Sequence, residues 1–178
     1  MSAERSSISG SLSSGLSDIE TPRLRLAPLV PADAEALWHV TNDAGIIDAI
    51  SFLQHPFTLV DAKTLIALNQ NDCDLFRGVW RRMDSVLVGV IGSHRRPSGA
   101  IEIGYWIGTR FQGRRYACEA GHSVVEWLRK ANPTAPIIAE CRLENRASWR
   151  VLERLGFRPT GAPGSRPGRL ELALPTRS

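Results

Sequence analysis

The chain of 178 residues contains little cysteine, almost no lysine and no long apolar segment. Cys73, Cys118 and Cys141 are odd in number, widely spaced and outside any C-x-x-C pair, which argues against a disulfide scaffold and a structural zinc site. No run of about 18 apolar residues is present to span a bilayer. The first 20 residues hold eight serines and no apolar core of a secretory signal. We therefore expect a disordered Ser-rich tail over residues 1–19 and a cytoplasmic protein without membrane contact.

The length and composition predict one globular domain over residues 20–178, with charge divided unevenly along it. The apolar fraction is 43% and the charged fraction 22%, which suits a folded chain. Residues 1–109 carry 9 Lys/Arg and 12 Asp/Glu, whereas residues 110–178 carry 13 and 6. The basic second part indicates contact with an anion. Codon bias is the alternative, because 20 of the 22 basic residues are Arg.

Hydrophobic periodicity predicts strands and helices that alternate along the chain. A period-2 run indicates a strand at 24–29, β-rich runs indicate strands at 75–82, 86–93 and 100–107, and 136–141 reads as a short strand. Helical spacing indicates helices from Pro31, near 45–50, from Thr58 to about 69, at 116–130 and at 145–155, and the last segment reads as a hairpin. The three consecutive strands from 75 to 107 predict an antiparallel meander. The strand, helix and strand from Ile101 to Ile137 predict a parallel crossover in an α+β fold.

The loop that enters the 116–130 helix is the segment best suited to hold an anion. The first N–H groups of a helix lack intrahelical partners, and the helix dipole is positive at that end. Arg110, Arg114 and Arg115 lie beside this loop in the sequence. A connecting loop with solvated arginines is the alternative. Neither G-x-x-x-x-G-K-[ST] nor G-x-G-x-x-G after a strand is present, which argues against NTPase and dinucleotide sites.

Three motifs resemble the GCN5-related N-acetyltransferase (GNAT) superfamily, in its ribosomal-protein-alanine N-acetyltransferase-like branch. They are EIGYWIG at 102–108, FQGRRYACEA at 111–120 and NRASWRVLERLGF at 145–157, and ETPRLRLAPL at 20–29 with PADAEAL at 31–37 also resembles that branch. The similarity spans about residues 20–173. It implies the GNAT fold: a mixed, mostly antiparallel twisted sheet with helices on both faces and a central parallel β-α-β splay.

The resemblance implies transfer of an acetyl group from acetyl-CoA to a primary amine, by direct attack through a tetrahedral intermediate and without a metal. Strand residues would pair with the pantetheine, loop amides would hold the pyrophosphate, and two helix residues would contact the cofactor. These implied cofactor-binding residues are Ile103, Tyr105, Trp106, Ile107, Gln112, Gly113, Arg114, Arg115, Tyr116, Ala117, Asn145 and Ser148.

The candidate catalytic residues are Ser148, Glu102 and Tyr105. Ser148 matches a family serine near the CoA sulfur and is the candidate proton donor to the thiolate, with a structural role as the alternative. Glu102 is the best carboxylate for a base and also a substrate-binding candidate, because strand alternation places it opposite the face of its neighbours; a solvated strand carboxylate is the alternative. His94 could serve instead. Core packing is the alternative for Tyr105, and Trp38 is a candidate for lining the acceptor groove.

Arg146, Arg150 and Arg154 lie on one face of the 145–155 helix, where they either contact the cofactor's 3′-phosphate or form a solvated face. The acidic first part would give an acceptor side suited to a cationic amine. Protein N-termini, polyamines, aminoglycosides and other small amines all stay open as acceptors, and a monomer or a homodimer is expected. Nucleic acid is not favoured, because acids interleave with the basic residues and no recognition helix stands out.

One residue departs from the family pattern. Family members usually place glycine where this chain has Arg115, and glycine tolerates positive φ and close approach to phosphates. Arg115 would either point outward and supply charge or crowd the loop. The second hypothesis is therefore a catalytically degenerate GNAT-like binding or regulatory module with an altered pyrophosphate loop.

Overall fold

Residues 17–50, 53, 55–70 and 73–175 are described by the computed structural model. They form eight strands and five α-helices: β1 (Ile19–Glu20), β2 (Leu24–Pro28), α1 (Ala34–Thr41), α2 (Ala44–Ile47), α3 (Leu59–Ala67), β3 (Asp74–Arg81), β4 (Val86–Arg95), β5 (Ile101–Ile107), α4 (Tyr116–Ala131), β6 (Ile137–Arg142), α5 (Arg146–Arg154), β7 (Arg158–Pro163) and β8 (Arg169–Ala173).

The eight strands form one sheet in the order β1-β2-β3-β4-β5-β6-β8-β7. Neighbouring strands are antiparallel except β5 and β6, which are parallel. The meander of β3, β4 and β5, the crossover through α4 and the final hairpin of β7 and β8 are confirmed, and so is the α+β class.

Local sequence signals account for where the helices begin and end. Thr58 caps α3 by accepting from the Asp61 N–H while Asp61 accepts from the Thr58 N–H, a capping box. In α4, Ala120, Val124 and Leu128 are buried at helical spacing. After α5 the backbone of Gly156 has φ 93°, which glycine adopts without a Cβ penalty.

Helices cover both faces of the sheet, as alternation along β5 shows. The Trp106 indole donates to Thr41 Oγ1 on α1 at 3.0 Å, whereas the hydroxyl of its neighbour Tyr105 contacts Ser148 on α5. Successive side chains of a strand point to opposite faces. α1 and α5 therefore lie on opposite faces of the sheet.

The parallel pair β5 and β6 diverges soon after it forms. Ile101 lies opposite Ile137 and Glu102 opposite Ile138, and the described residues show no further pairing between the two strands. β5 stays paired with β4 as far as Ile107 on its other edge. In the described chain β6 pairs with none of residues 103–105 on the facing edge of β5, and a gap opens toward the carboxyl ends of both strands.

Two boundaries differ from the sequence predictions. α3 ends at Ala67 and continues as a 3-10 turn, because the Asn69 side chain bonds to Leu29 O and to the N–H and C=O of Phe76, which ties the helix end to the sheet. Ordered structure begins before residue 20, since β1 starts at Ile19 and Arg77 donates to the Ser17 carbonyl at 2.9 Å. The predicted tail otherwise falls on residues 1–16, which lie outside the described residues.

Candidate active site

A cleft of about 500 Å³ opens where β5 and β6 diverge. β5 forms one wall over Glu102–Ile107, and the loop before α4 with the first turn of that helix forms the end of the cleft over Phe111–Cys118. β6 and α5 form the opposite wall, and residues of the α2 region close one side. Ligand sites of open sheets commonly lie at such a crevice beyond the carboxyl ends of strands.

All the residues that the sequence predicted to bind a cofactor line this one cleft. They are Ile103, Tyr105, Trp106, Ile107, Gln112, Gly113, Arg114, Arg115, Tyr116, Ala117, Asn145 and Ser148. Residues far apart in the chain are thus brought together, and their role in binding stays a prediction.

The loop before α4 exposes backbone at the end of the cleft. Gln112 Nε2 donates to the Ile107 carbonyl at 3.0 Å, which fixes the loop to β5. Gly113 has φ 74°, and a Cβ built on it would meet no atom within 4 Å. The first N–H groups of α4 are left without intrahelical partners by helix geometry, and the Glu119 N–H is the first described to bond back, to the Arg115 carbonyl.

Arg115 occupies the position where the family usually has glycine, and it adopts the backbone that glycine would favour. Its φ is 63° and its ψ is 17°, in the left-handed region. Its side chain is exposed, so it leaves the loop uncrowded. Of the two arrangements considered from the sequence, this exposure favours the outward-pointing one, and a role of Arg115 at a phosphate stays a prediction.

Ser148 and Tyr105 form a hydrogen-bonded pair on the face of β5 that α5 covers. Tyr105 Oη lies 2.9 Å from Ser148 Oγ, and the Ser148 N–H donates to Asn145 Oδ1 at 3.0 Å. Asn145 therefore caps α5, as predicted, and fixes the backbone of Ser148. Burial raises the pKa of the Tyr105 phenol, which keeps it protonated and able to donate at neutral pH.

The structure places Glu102 in an ion-pair network instead of in solvent. The residue is 2% exposed, which contradicts the solvated-carboxylate alternative. One carboxylate oxygen accepts from Arg96 and the other from Arg166. Protonation of Glu102 would disrupt one of these ion pairs, which weakens its case as a base. The sequence could not show this arrangement, because Arg166 is 64 residues away in the chain.

His94 and Trp38 differ in their relation to the cleft. His94 lines it, opposite Glu102 across the β4–β5 pair, and its Nδ1 lies 2.7 Å from Asp74 Oδ1. Trp38 is not among the residues that line the cleft; its indole donates to the Phe57 carbonyl at 3.0 Å and packs against the core. The structure gives Trp38 a packing role and does not bring it to the other candidates.

Several lining residues escaped the sequence predictions. Glu140 and Cys141 come from β6, and Arg166 and Arg169 come from the Gly/Pro-rich connection between β7 and β8 and its end. The β7–β8 segment carries no periodicity that marks a site, so only tertiary structure could reveal them. Burial raises the pKa of the Cys141 thiol, which keeps it neutral.

The charged side chains that line the cleft differ in part from those predicted from the sequence. Arg150 and Arg154 line it from α5, whereas Arg146 does not, so the basic helix face is partly directed to the cleft. Glu102 is the one lining acid among the described part of residues 1–109, and its charge is engaged by two arginines. Among the described residues, the cleft therefore lacks the acidic acceptor side that the charge count predicted.

Two further features bear on the class of site. Over the described ranges, no group of three or more His, Cys, Asp or Glu side chains is arranged to hold a metal ion. None of the helices in the described chain combines the length and the apolar character that crossing a membrane requires.

Comparisons with known proteins agree on one family. The model of the family described as Acetyltransferase (GNAT) domain matches residues 23–158. The uncharacterized N-acetyltransferase YnaD of Bacillus subtilis (strain 168) is 28% identical over 144 residues, covering 80% of this chain and 84% of that protein. A GNAT-family acetyltransferase structure from Bacillus anthracis superposes with a TM-score of 0.78 at 25% identity, covering 89% of this chain and 98% of the other. The structure of RimL, a ribosomal L7/L12 alpha-N-protein acetyltransferase in complex with coenzyme A, gives a TM-score of 0.77 at 17% identity, covering 88% and 96%.

Proposed function

The chain belongs to the GNAT acetyltransferase family. From this premise we propose that it moves an acetyl group from acetyl-CoA to a primary amine on a protein N-terminus or a small molecule. The amine would attack the thioester directly, through a tetrahedral intermediate. The observation that carries the proposal is the edge of β5 over residues 103–105, with which β6 does not pair in the described chain and which lines the same cleft as the first turn of α4 and Ser148.

The residues of the cleft fit an elongated anionic donor. The free edge of β5 offers N–H and C=O groups to an extended amide chain, as an added strand would use them. The first turn of α4 offers unpaired N–H groups to phosphate oxygens, and Gly113 leaves room for close approach. Arg114, Arg150 and Arg154 line the same cleft and supply positive charge.

Ser148 and Tyr105 are placed to manage the proton at the leaving group. Acetyl-CoA supplies an activated thioester, whose sulfur must accept a proton when the C–S bond breaks. Ser148 Oγ donates that proton in our proposal and recovers one from Tyr105 Oη, 2.9 Å away; solvent returns a proton to Tyr105 and takes the amine proton from the base after the products leave. The backbone N–H groups on the free edge of β5 are the candidates for stabilising the oxyanion.

His94 is better placed than Glu102 to accept the proton of the amine. The Asp74 carboxylate at Nδ1 favours the tautomer that leaves Nε2 free to accept a proton. Glu102 is instead held by Arg96 and Arg166, and we assign it a positioning role that keeps those guanidinium groups in place. The loss of one amine proton to His94 and the gain of one by the thiolate balance the reaction.

The test is release of the CoA thiol from acetyl-CoA in the presence of a panel of primary amines. Ser148→Ala should lower kcat by about 10²–10⁴-fold if Ser148 is the proton donor. Ser123→Ala is the matched control, because Ser123 Oγ donates to the Glu119 carbonyl inside α4 and does not line the cleft. Absence of thiol release together with absence of thermal stabilisation by millimolar acetyl-CoA would contradict the proposal.

The degenerate binding module makes the opposite prediction for Arg115→Gly. If Arg115 had disabled the loop, the wild-type protein would be inert and the glycine variant would gain affinity for acetyl-CoA. The left-handed backbone and exposed side chain of Arg115 support an intact loop. We therefore expect the wild-type protein to bind acetyl-CoA without this substitution.

A further inference from the structure

Arg169 places a guanidinium group at the wall of the cleft that β6 and the β7–β8 connection form. It lines the cleft from the start of β8, and its Nη2 donates to the Ala49 carbonyl at 3.0 Å. Its Nη1 lies 3.5 Å from the Glu140 carbonyl, at the limit of a hydrogen bond. Backbone oxygens from two sides of the cleft thus fix the orientation of this side chain.

The positive charge of Arg169 is not neutralised inside the protein. Across the described part of the chain Arg169 forms no salt bridge, and its Nε is buried without a hydrogen-bond partner. Burial first, and then the like charges of Arg166 and Arg142, lower the pKa of this guanidinium, which nevertheless stays charged at neutral pH. Arg169 is partly buried, and a partly desolvated charge without an opposite partner is costly unless a ligand or counter-ion reaches it.

The nearby carboxylates are already engaged by other groups. Glu102 is paired with Arg96 and Arg166. Glu140 accepts from the Ser165 N–H and hydroxyl and from Arg166 Nε, and these bonds hold the pKa of its carboxyl at about 2 despite partial burial. Both of these carboxylates are paired with Arg166, whereas Arg169, which lines the same cleft, has no carboxylate partner in the described chain.

We propose that the acceptor amine carries a carboxylate or phosphate group, and that Arg169 binds this anion while the amine reaches the thioester. The proposal rests on the proposed acetyl transfer and narrows its acceptor. An anion at Arg169 would accept from the remaining N–H groups of Nη1 and Nη2, each of which donates to one backbone carbonyl, and would neutralise the charge of this guanidinium. Polycationic acceptors such as polyamines and aminoglycosides would meet like charge at the same place.

The test compares amines that differ only in the anionic group. O-phosphoethanolamine is paired with ethanolamine, and β-alanine with β-alaninamide, so that the two pairs separate a phosphate from a carboxylate source; putrescine represents the cations. The variants are Arg169→Gln, Arg169→Lys, which retains the charge, and Arg158→Gln as a control on the exposed strand β7 outside the cleft. The readouts are kcat/KM for thiol release and equilibrium binding of each amine to the protein with and without CoA.

The wild-type protein and the Arg158→Gln control should prefer one anionic member over its neutral partner. Arg169→Gln should reduce that preference by about 10- to 100-fold, since hydrogen bonds to charged groups are worth about 1.5–3 kcal/mol. Arg169→Lys should retain part of it, and acetyl-CoA should stabilise all three variants, which separates this proposal from loss of the donor site.

Three results would overturn the inference while leaving acetyl transfer intact. They are a preference for putrescine or the neutral amines, an anionic preference that survives Arg169→Gln unchanged, and absence of binding by both anionic members. Failure of acetyl-CoA to bind or to release thiol with any amine would instead refute the proposed function, and the binding measurements would still decide whether Arg169 holds an anion.

Discussion

Replacement of Arg115 by glycine is expected to stabilise the protein. The left-handed conformation of Arg115, with φ 63° and ψ 17°, costs an L-residue about 1–2 kcal/mol, and glycine adopts it without that penalty. Glycine loses about 0.5–1 kcal/mol through its larger entropy in the unfolded chain. The expected net gain in the free energy of unfolding is about 0.5–1 kcal/mol, or a rise of about 1–4 °C in Tm for a chain of this size.

Arg114→Gly is the matched control for this substitution. Arg114 is the adjacent exposed arginine of the same loop, and it is not among the described non-glycine residues with positive φ. The control therefore loses the same charge and incurs the glycine entropy without relief of backbone strain, so it should lower stability by about 0.5–1 kcal/mol. Chemical denaturation of the three proteins measures both changes. Equal destabilisation by the two substitutions would refute the account of Arg115 as a strained residue.

Three other predictions concern stability and chemistry. Glu119→Gln should lower the free energy of unfolding by about 1–3 kcal/mol, because Glu119 accepts from Thr21 Oγ1 at 2.6 Å and pairs with Arg23. These bonds hold the pKa of the Glu119 carboxyl below its ordinary value despite burial. The stabilisation that Glu119 provides is therefore full above the ordinary pKa and is lost as the pH falls through the lowered pKa. Denaturation at several pH values tests this, and a stability difference between wild type and Glu119→Gln that persisted in acid would disprove it. Tyr105→Phe should lower kcat and leave the KM for acetyl-CoA little changed, since it removes the hydroxyl beside Ser148 and no charge; steady-state kinetics with an unaltered kcat would exclude the proton relay. His94→Ala should lower kcat by about 10²–10⁴-fold, because it removes the proposed general base, and added imidazole should restore part of the activity. Activity near that of wild type would mean that Glu102 or water is the general base.

Much of the fold followed from periodicity and caps in the sequence. The β-rich runs of the meander, the apolar stripe of α4 and the Asn145 cap each depend on residues close together in the chain, so a single segment carries the signal. The cofactor-binding candidates taken from the family motifs lie on β5, the loop before α4 and α5, and they line one cleft. The identity of this family, and the α+β sheet with its single parallel pair, are confirmed.

The part of the cleft around Glu102 and Arg169, where we propose that the acceptor binds, could not be predicted in the same way. Glu102 meets Arg166 across 64 positions, and the Ala49 carbonyl accepts from Arg169 across 120. Such contacts depend on the pairing of β6 with β8 and on the path of the β7–β8 connection. Patterns within a single segment of sequence do not determine either. The charge count of the first 109 residues failed for the same reason, since most of its acids lie away from the cleft.

Binding of acetyl-CoA to two matched glycine variants tests the central claim most directly. Gly113 and Gly161 both have positive φ, 74° and 85°, and a Cβ at either would meet no protein atom within 4 Å, but only Gly113 lines the cleft. Alanine at either site should impose a similar backbone penalty on stability. In equilibrium titrations the account predicts saturable binding of acetyl-CoA to the wild-type protein, a similar affinity for Gly161→Ala and at least tenfold weaker binding, about 1.4 kcal/mol, for Gly113→Ala. Equal affinities of the two variants, or absence of binding to the wild-type protein, would contradict it.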